Sequence, residues 1–166
     1  LSLNTLDFIK KQFSINSSQE LKLNNFLEKL INYNTHTNLV GKSTLINPWR
    51  SHILDSIQVS CYIDNKNSNI LDIGTGAGLP GLILAIIGYN NVTLVDSNMK
   101  KIYFIKTVCS ELNIKVKIVL SRIEKLKKEK YKFLTSRALA NLNKLFIYSH
   151  KFTNKGTVQI FLKGKT

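Results

Sequence analysis

Two prolines and two cysteines are all that the 166 residues contain of either, and arginine stops at three. Each shortage excludes something. Cys61 and Cys109 lie in helical patterns without metal-ligand spacing, and His36, His52 and His150 are scattered, so no metal site is legible. Two buried free thiols are expected, as suits a reducing cytoplasm. No apolar run approaches the length that crosses a bilayer, and 43% hydrophobic residues indicate a soluble globular protein. Leu6 to Gln12 starts as an amphipathic helix, not as the basic stub and apolar block of a secretory signal. At this length one domain with a substantial core is expected.

Acid is scarce as well. Ten Asp and Glu stand against 24 Lys and Arg, a net charge of +14. This excess is to be discounted, since the chain is crowded with Lys, Asn and Ile, a bias that codon composition alone can produce. Even so, Lys100, Lys101, Lys115, Lys117, Lys125, Lys127, Lys128, Lys130 and Lys132 make one half strongly basic. A field of that sign attracts polyanions. No helix shows a wide apolar face opposite a basic one beyond what the core would claim, so nucleic acid is favoured over anionic membrane. Where composition favours lysine so heavily, Arg50, Arg122 and Arg137 are candidates for sites that need a planar, bidentate fork. A surface salt bridge is the plain alternative, for Arg50 above all.

What the chain does have is a cluster of glycines. Residues 70–81 read Ile-Leu-Asp-Ile-Gly-Thr-Gly-Ala-Gly-Leu-Pro-Gly. An apolar strand stops at Gly74, Gly76 and Gly78, and a helical pattern follows at once, with Pro80 suited to its first turn. This layout brings a ligand close to backbone, with N–H groups and the helix dipole facing it. Gly76, Gly78 and Gly81 also satisfy the dinucleotide fingerprint, which is weak alone. Asp72, placed at the mouth of the turn, would repel a pyrophosphate and suit a cofactor with a positive end, such as S-adenosylmethionine. Asp96 closes the next apolar strand, 22 residues beyond Gly74, where an acid can take ribose hydroxyls. That spacing alone suits NAD equally well.

Strands are predicted near 70–74, 92–96, 116–120, 133–136 and 157–162, with helices near 80–88, 98–112 and 141–153. Such alternation means a doubly wound parallel α/β sheet. Residues 1–64 read as a helical extension, and 65–166 as the nucleotide-binding part. Within the extension, Ser17 and Glu20 form a capping box, 34–45 is loop, and Asn47-Pro48 opens a helix carrying Trp49, Ile53, Leu54 and Ile57. Ser97 is placed as the cap of the second helix. Arg122 and Arg137 fall just after strands, at the carboxyl ends where such sheets bind ligands.

The glycine loop, Asp96, Ser121-Arg122-Ile123-Glu124, Ser136-Arg137-Ala138-Leu139-Ala140 and Leu162-Lys163-Gly164 together resemble a known family, as do Asn38-Leu39 and His52-Ile53-Leu54-Asp55-Ser56. The family is the bacterial small-subunit (16S) ribosomal RNA guanine-N7 methyltransferases, also called glucose-inhibited division protein B. The resemblance runs from about residue 20 to the end. It implies a class I S-adenosylmethionine-dependent fold, in a cytoplasmic and monomeric enzyme acting on 16S rRNA or the small subunit. Carried over by position, Gly74 and Leu79 line the cofactor loop, to which the spacing already assigns Gly76 and Gly78, with Asp96 on the ribose. Ile123 and Glu124 flank the adenine through their backbone. Arg137 binds near cofactor and substrate, and Arg122 lies on the RNA or cofactor side. The chain departs from the family at its ends: it starts without Met and stops at Thr166, where a final antiparallel strand pair is expected.

Guanine N7 is a lone pair with no proton to remove, so its methylation needs alignment more than a base. Pro48 and Pro80 cannot build the Asn/Asp-Pro-Pro-Tyr clamp of exocyclic-amine enzymes. Neither Cys61 nor Cys109 follows a proline, as the nucleophile of cytosine-C5 enzymes commonly does. His52 and Asp55 share a helix face, as an acid/base pair or as a hydrogen-bonded pair that fixes the extension on the sheet. Tyr33, Trp49 and Tyr103 are candidates for base stacking, or for core. A nicotinamide oxidoreductase and a non-catalytic RNA-binding protein remain the rival readings.

Overall fold

Strand and helix alternate along the second half of the chain, and the resulting sheet is parallel throughout. The computed structural model describes residues 2–137 and 139–162. Its strands are β1 (Ile70–Ile73), β2 (Val92–Asp96), β3 (Lys117–Leu120), β4 (Phe133–Arg137) and β5 (Val158–Leu162), in the order β3-β2-β1-β4-β5. Strand order reverses between β1 and β4, and ligands of such sheets bind outside the carboxyl ends there. Register sets the site. Asp72 lies beside Thr135, Asp96 beside Leu120, and Arg137 beside Leu162.

Side chains alternate between the faces of the sheet, as the pleat requires. Ile70, Leu94 and Phe133 join one buried cluster, and Leu71, Ile73, Val95 and Leu134 a second. The first face is covered by α4 (Gly81–Ile86) and α5 (Met99–Glu111). On the second pack Ile123, Tyr131 and Phe152, with Tyr148 from α6 (Leu142–Ser149). The N-terminal helices α1 (Ser2–Phe13) and α2 (Ser17–Asn34) build no core of their own. Leu23, Phe26 and Leu30 are fully buried within the first cluster, where the Phe26 and Phe104 rings lie 6.4 Å apart.

Several local expectations need correction. The capping box sits one residue earlier, with Asn16 as cap and Gln19 reciprocating, because the amide Oδ1 of Asn16 reaches the Gln19 N–H at 2.9 Å. Asn98, not Ser97, caps α5, accepting from the amides of Lys100 and Lys101. Pro80 precedes α4 rather than opening it. Cys61 is exposed on a 3₁₀ turn, and only Cys109 is a buried thiol. Trp49 belongs to the core and Tyr33 packs on Phe104 at 5.1 Å, so Tyr103 alone of the stacking candidates is exposed. Ala138 and the Lys163-Gly164 pair lie outside the described residues, among which β3 and β5 form the sheet edges.

Candidate functional site

Above the carboxyl ends of β1, β2 and β4 lies a cleft of about 720 Å³. Gly74, Gly76, Leu79, Asp96 and Arg137 line it, as the sequence predicts. A smaller cavity of about 170 Å³ continues beyond Asp96, bounded by Arg122, Ile123 and Glu124 together with Val95 and Tyr148. Gly74, Asp96, Ser97 and Leu139 border both. Gly78 borders neither. At φ +90° it brings the chain against Leu82, so its task is the turn into α4 rather than ligand contact.

Asp72 is the main correction. It does not stand at the mouth of the turn but is wholly buried beneath it. Its carboxylate accepts from Thr75 Oγ1 at 2.5 Å, Thr135 Oγ1 at 2.8 Å and the Gly81 amide at 3.0 Å. Burial pushes its carboxyl above the usual carboxylate range, against those three hydrogen bonds. Asp72 thus braces the loop from inside. Gly81 makes room for it: a Cβ there would meet Leu94 Cδ2 at 2.4 Å and Asp72 Oδ2 at 2.8 Å.

The loop is also not a cradle of free donors. Thr75 N–H goes to Val95 O, Gly76 N–H to Asp96 Oδ2, and the amides of Gly78 and Leu79 to Thr75 O. With Gly81 on Asp72, five loop amides are satisfied within the protein. Pyrophosphate binding needs such amides unpaired. What the loop offers is bare backbone and space, while Asp96 keeps acceptor capacity on both oxygens for a diol, since a carboxylate has about four lone-pair sites. Leu139 covers part of this surface, within 2.8 Å of where a Gly74 Cβ would stand.

Arg137 faces the loop from the end of β4, and the helical extension holds it. Its Nη1 donates to Ser51 O at 2.9 Å and reaches Asp55 Oδ2 at 3.4 Å, while Nη2 lies 3.1 Å from His52 Nδ1. These partners come from a wide, π-type turn, Trp49–Leu54, and from α3 (Asp55–Ile57) that continues it. A guanidinium can only donate, so Nδ1 is an acceptor and the imidazole is neutral. Its Nε2–H then donates to Thr44 Oγ1 at 2.9 Å, and Thr44 donates to Gly41 O at 2.6 Å. Burial, followed by the Arg137 charge, pushes His52 down to about 4. His52 and Asp55 are therefore joined through Arg137, fixing the extension on the sheet rather than acting as an acid/base pair.

Ser51, Thr44, Asn98, Lys101 and Leu139 also line the cleft, and the sequence reading assigned them no role in the site. Only Leu139 carried a signal, as part of the run around Arg137. Among the described residues no group of three or more His, Cys, Asp or Glu is placed to hold a metal, and no helix is long and apolar enough to cross a membrane.

A parallel sheet in this order, with a glycine loop over β1 and an acid closing β2, is the fold of the class I S-adenosylmethionine-dependent methyltransferases. A putative S-adenosylmethionine-dependent methyltransferase from Methanococcus maripaludis has it, at TM-score 0.58 and 15% identity over 68% of this chain and 54% of that one. The ribosomal protein L11 methylase from Lactobacillus delbrueckii subsp. bulgaricus has it at 0.56 and 17%, over 65% and 57%. The family described as rRNA small subunit methyltransferase G matches residues 19–166. The chain belongs to that family. It is 38% identical to the ribosomal RNA small subunit methyltransferase G of Orientia tsutsugamushi (strain Ikeda), over 96% of this chain and 79% of that protein. The protein of the same name from Rickettsia prowazekii (strain Madrid E) is 37% identical over 87% and 75%.

Proposed function

We propose that the chain transfers the methyl group of S-adenosylmethionine to N7 of a guanine in 16S ribosomal RNA, acting as a monomer in the cytoplasm. The observation that carries the choice of N7 is the state of His52. The one imidazole lining the cleft accepts from Arg137 on one nitrogen and donates from the other, so it has no free site for a proton. A nucleophile that must first lose a proton finds no imidazole base here; the N7 lone pair needs none.

Bound S-adenosylmethionine would supply a methyl group already activated as a sulfonium. Asp96 would take the ribose hydroxyls, and the slot beside Ile123 and Glu124 would take the adenine. Arg137 would meet the amino-acid end or the incoming base with the N–H groups its clamp leaves over. Alignment in a desolvated cleft is then the chain's main contribution to rate. The satisfied loop amides favour this cofactor over a nicotinamide dinucleotide.

The test is incubation with labelled S-adenosylmethionine and 16S rRNA, free or in assembled small subunits, followed by nucleoside analysis. Label in 7-methylguanosine is the expected result. Label in any other nucleoside refutes the choice of N7. Calorimetry with S-adenosylhomocysteine, NADH and NADPH decides the cofactor, and binding of NADH alone would overturn the reading.

A further inference from the structure

Ile46 is 87% exposed, the most exposed large apolar side chain among the described residues. It sits on the loop whose Gly41 and Thr44 line the cleft, four residues from Lys42 and four from Arg50, both exposed. Neither cation has an ion-pair partner among the described residues, although acids pair with Lys10, Lys29, Lys117 and Arg137 elsewhere. The loop is held firmly at both ends. Asn34 Oδ1 accepts from the amides of Leu39 and Val40, and Asn47 Oδ1 from that of Arg50. Between them, Thr44 ties the loop to His52 and through it to Arg137. An exposed apolar side chain with a cation four residues to each side in sequence, on a loop hydrogen-bonded to the site, has a physical use if the substrate is stacked RNA.

The major groove of A-form RNA is too deep and narrow for side chains, so N7 of a stacked guanine is out of reach. The target base must leave the stack to enter a cleft, at a cost of unstacking. Apolar wedges lower that cost by occupying the vacated step, while flanking cations hold the phosphates. We propose that Ile46 is such a wedge, filling the gap left by the extruded guanine while Lys42 and Arg50 grip the backbone on either side. This rests on the RNA-methyltransferase reading above.

Methyl transfer by the wild-type chain to 16S rRNA is measured first; no transfer fells that reading and not the wedge alone. Given transfer, Ile46→Ala should lower kcat/KM for the RNA by ~10-fold, the scale of losing part of an unstacking cost. Ile46→Leu should restore most of it, and S-adenosylhomocysteine affinity should not change. Lys42→Ala and Arg50→Ala should each weaken RNA binding and reduce its salt slope by about one. Wild-type turnover by Ile46→Ala would overturn the proposal, as would a parallel loss of cofactor affinity. Adsorption of the wild-type protein to phosphatidylserine vesicles that Ile46→Asp abolishes would reassign the loop to a lipid surface, and so also overturn it.

Discussion

Acid should loosen this protein through His52. In the folded chain, burial and then the Arg137 guanidinium push the imidazole down to about 4 from its ordinary 6.5. Between those values the unfolded chain binds the proton and the folded chain does not. The stability due to this group is thus fully present above pH 6.5 and is lost as pH falls towards 4. From pH 7 to pH 4.5 the loss comes to roughly 2 kcal/mol, at ~1.4 kcal/mol per pKa unit. Against the ~5–15 kcal/mol of a typical domain, that is a large share. His52→Gln cannot titrate, so urea unfolding of wild type and variant across this range isolates the effect. The wild-type midpoint should fall more steeply by about that amount. S-adenosylhomocysteine affinity of the folded chain should weaken only as pH approaches 4, where Nδ1 takes a proton and can no longer accept from Arg137. Parallel pH dependence of the two proteins would refute the argument. So would an imidazole resonance, missing in the variant, that titrates near its ordinary value.

Three further outcomes follow from the same geometry. Gly81→Ala drives a methyl group into Leu94 and Asp72 and should cost ~1–3 kcal/mol, the range for overpacking a filled core; an unchanged thermal midpoint would show that the loop yields easily. Asp96→Ala should weaken S-adenosylhomocysteine binding several-fold in calorimetry, and an unchanged Kd would remove Asp96 from the ribose site. Arg137→Lys replaces a fork by a point charge that cannot hold Ser51 O, His52 Nδ1 and Asp55 together. Methyl transfer should fall further than unfolding stability does, and wild-type turnover would refute its place at the reacting end.

The sheet was legible because its signals are local. Short runs rich in apolar residues gave each strand within about one residue, with Gly74 stopping β1 and Asp96 closing β2. The errors at Ser17, Ser97 and Pro80 are shifts of one position, made where adjacent residues can all cap and only backbone direction chooses. Asp72 failed for a different reason. Its position two residues before the first glycine says that it is near the loop but not which way it points. That direction depends on Thr135, which is 63 residues away and becomes its neighbour only through the β1–β4 register. Two of the five satisfied loop amides, those of Thr75 and Gly76, were hidden in the same way, since Val95 and Asp96 reach them from β2.

Arg137 joins these two kinds of information. Its place after a strand could be read from the sequence, but its grip could not. Ser51, His52 and Asp55 lie more than eighty residues earlier in the chain. Ser51 and Asp55 stand one turn apart and His52 beside them, an arrangement supplied by the widened turn at Trp49–Leu54, a local departure often found at functional sites. The sheet alone therefore specifies the class, through a loop over β1 and an acid closing β2. The helical extension adds what the sheet cannot, a clamp that orients one arginine over the cofactor loop and carries the same rigidity out to Ile46. If this division holds, loss of His52 should disturb both cofactor affinity and RNA turnover, whereas loss of Ile46 should disturb turnover alone. The two variants compared in one assay series would show whether the extension acts as a single braced unit.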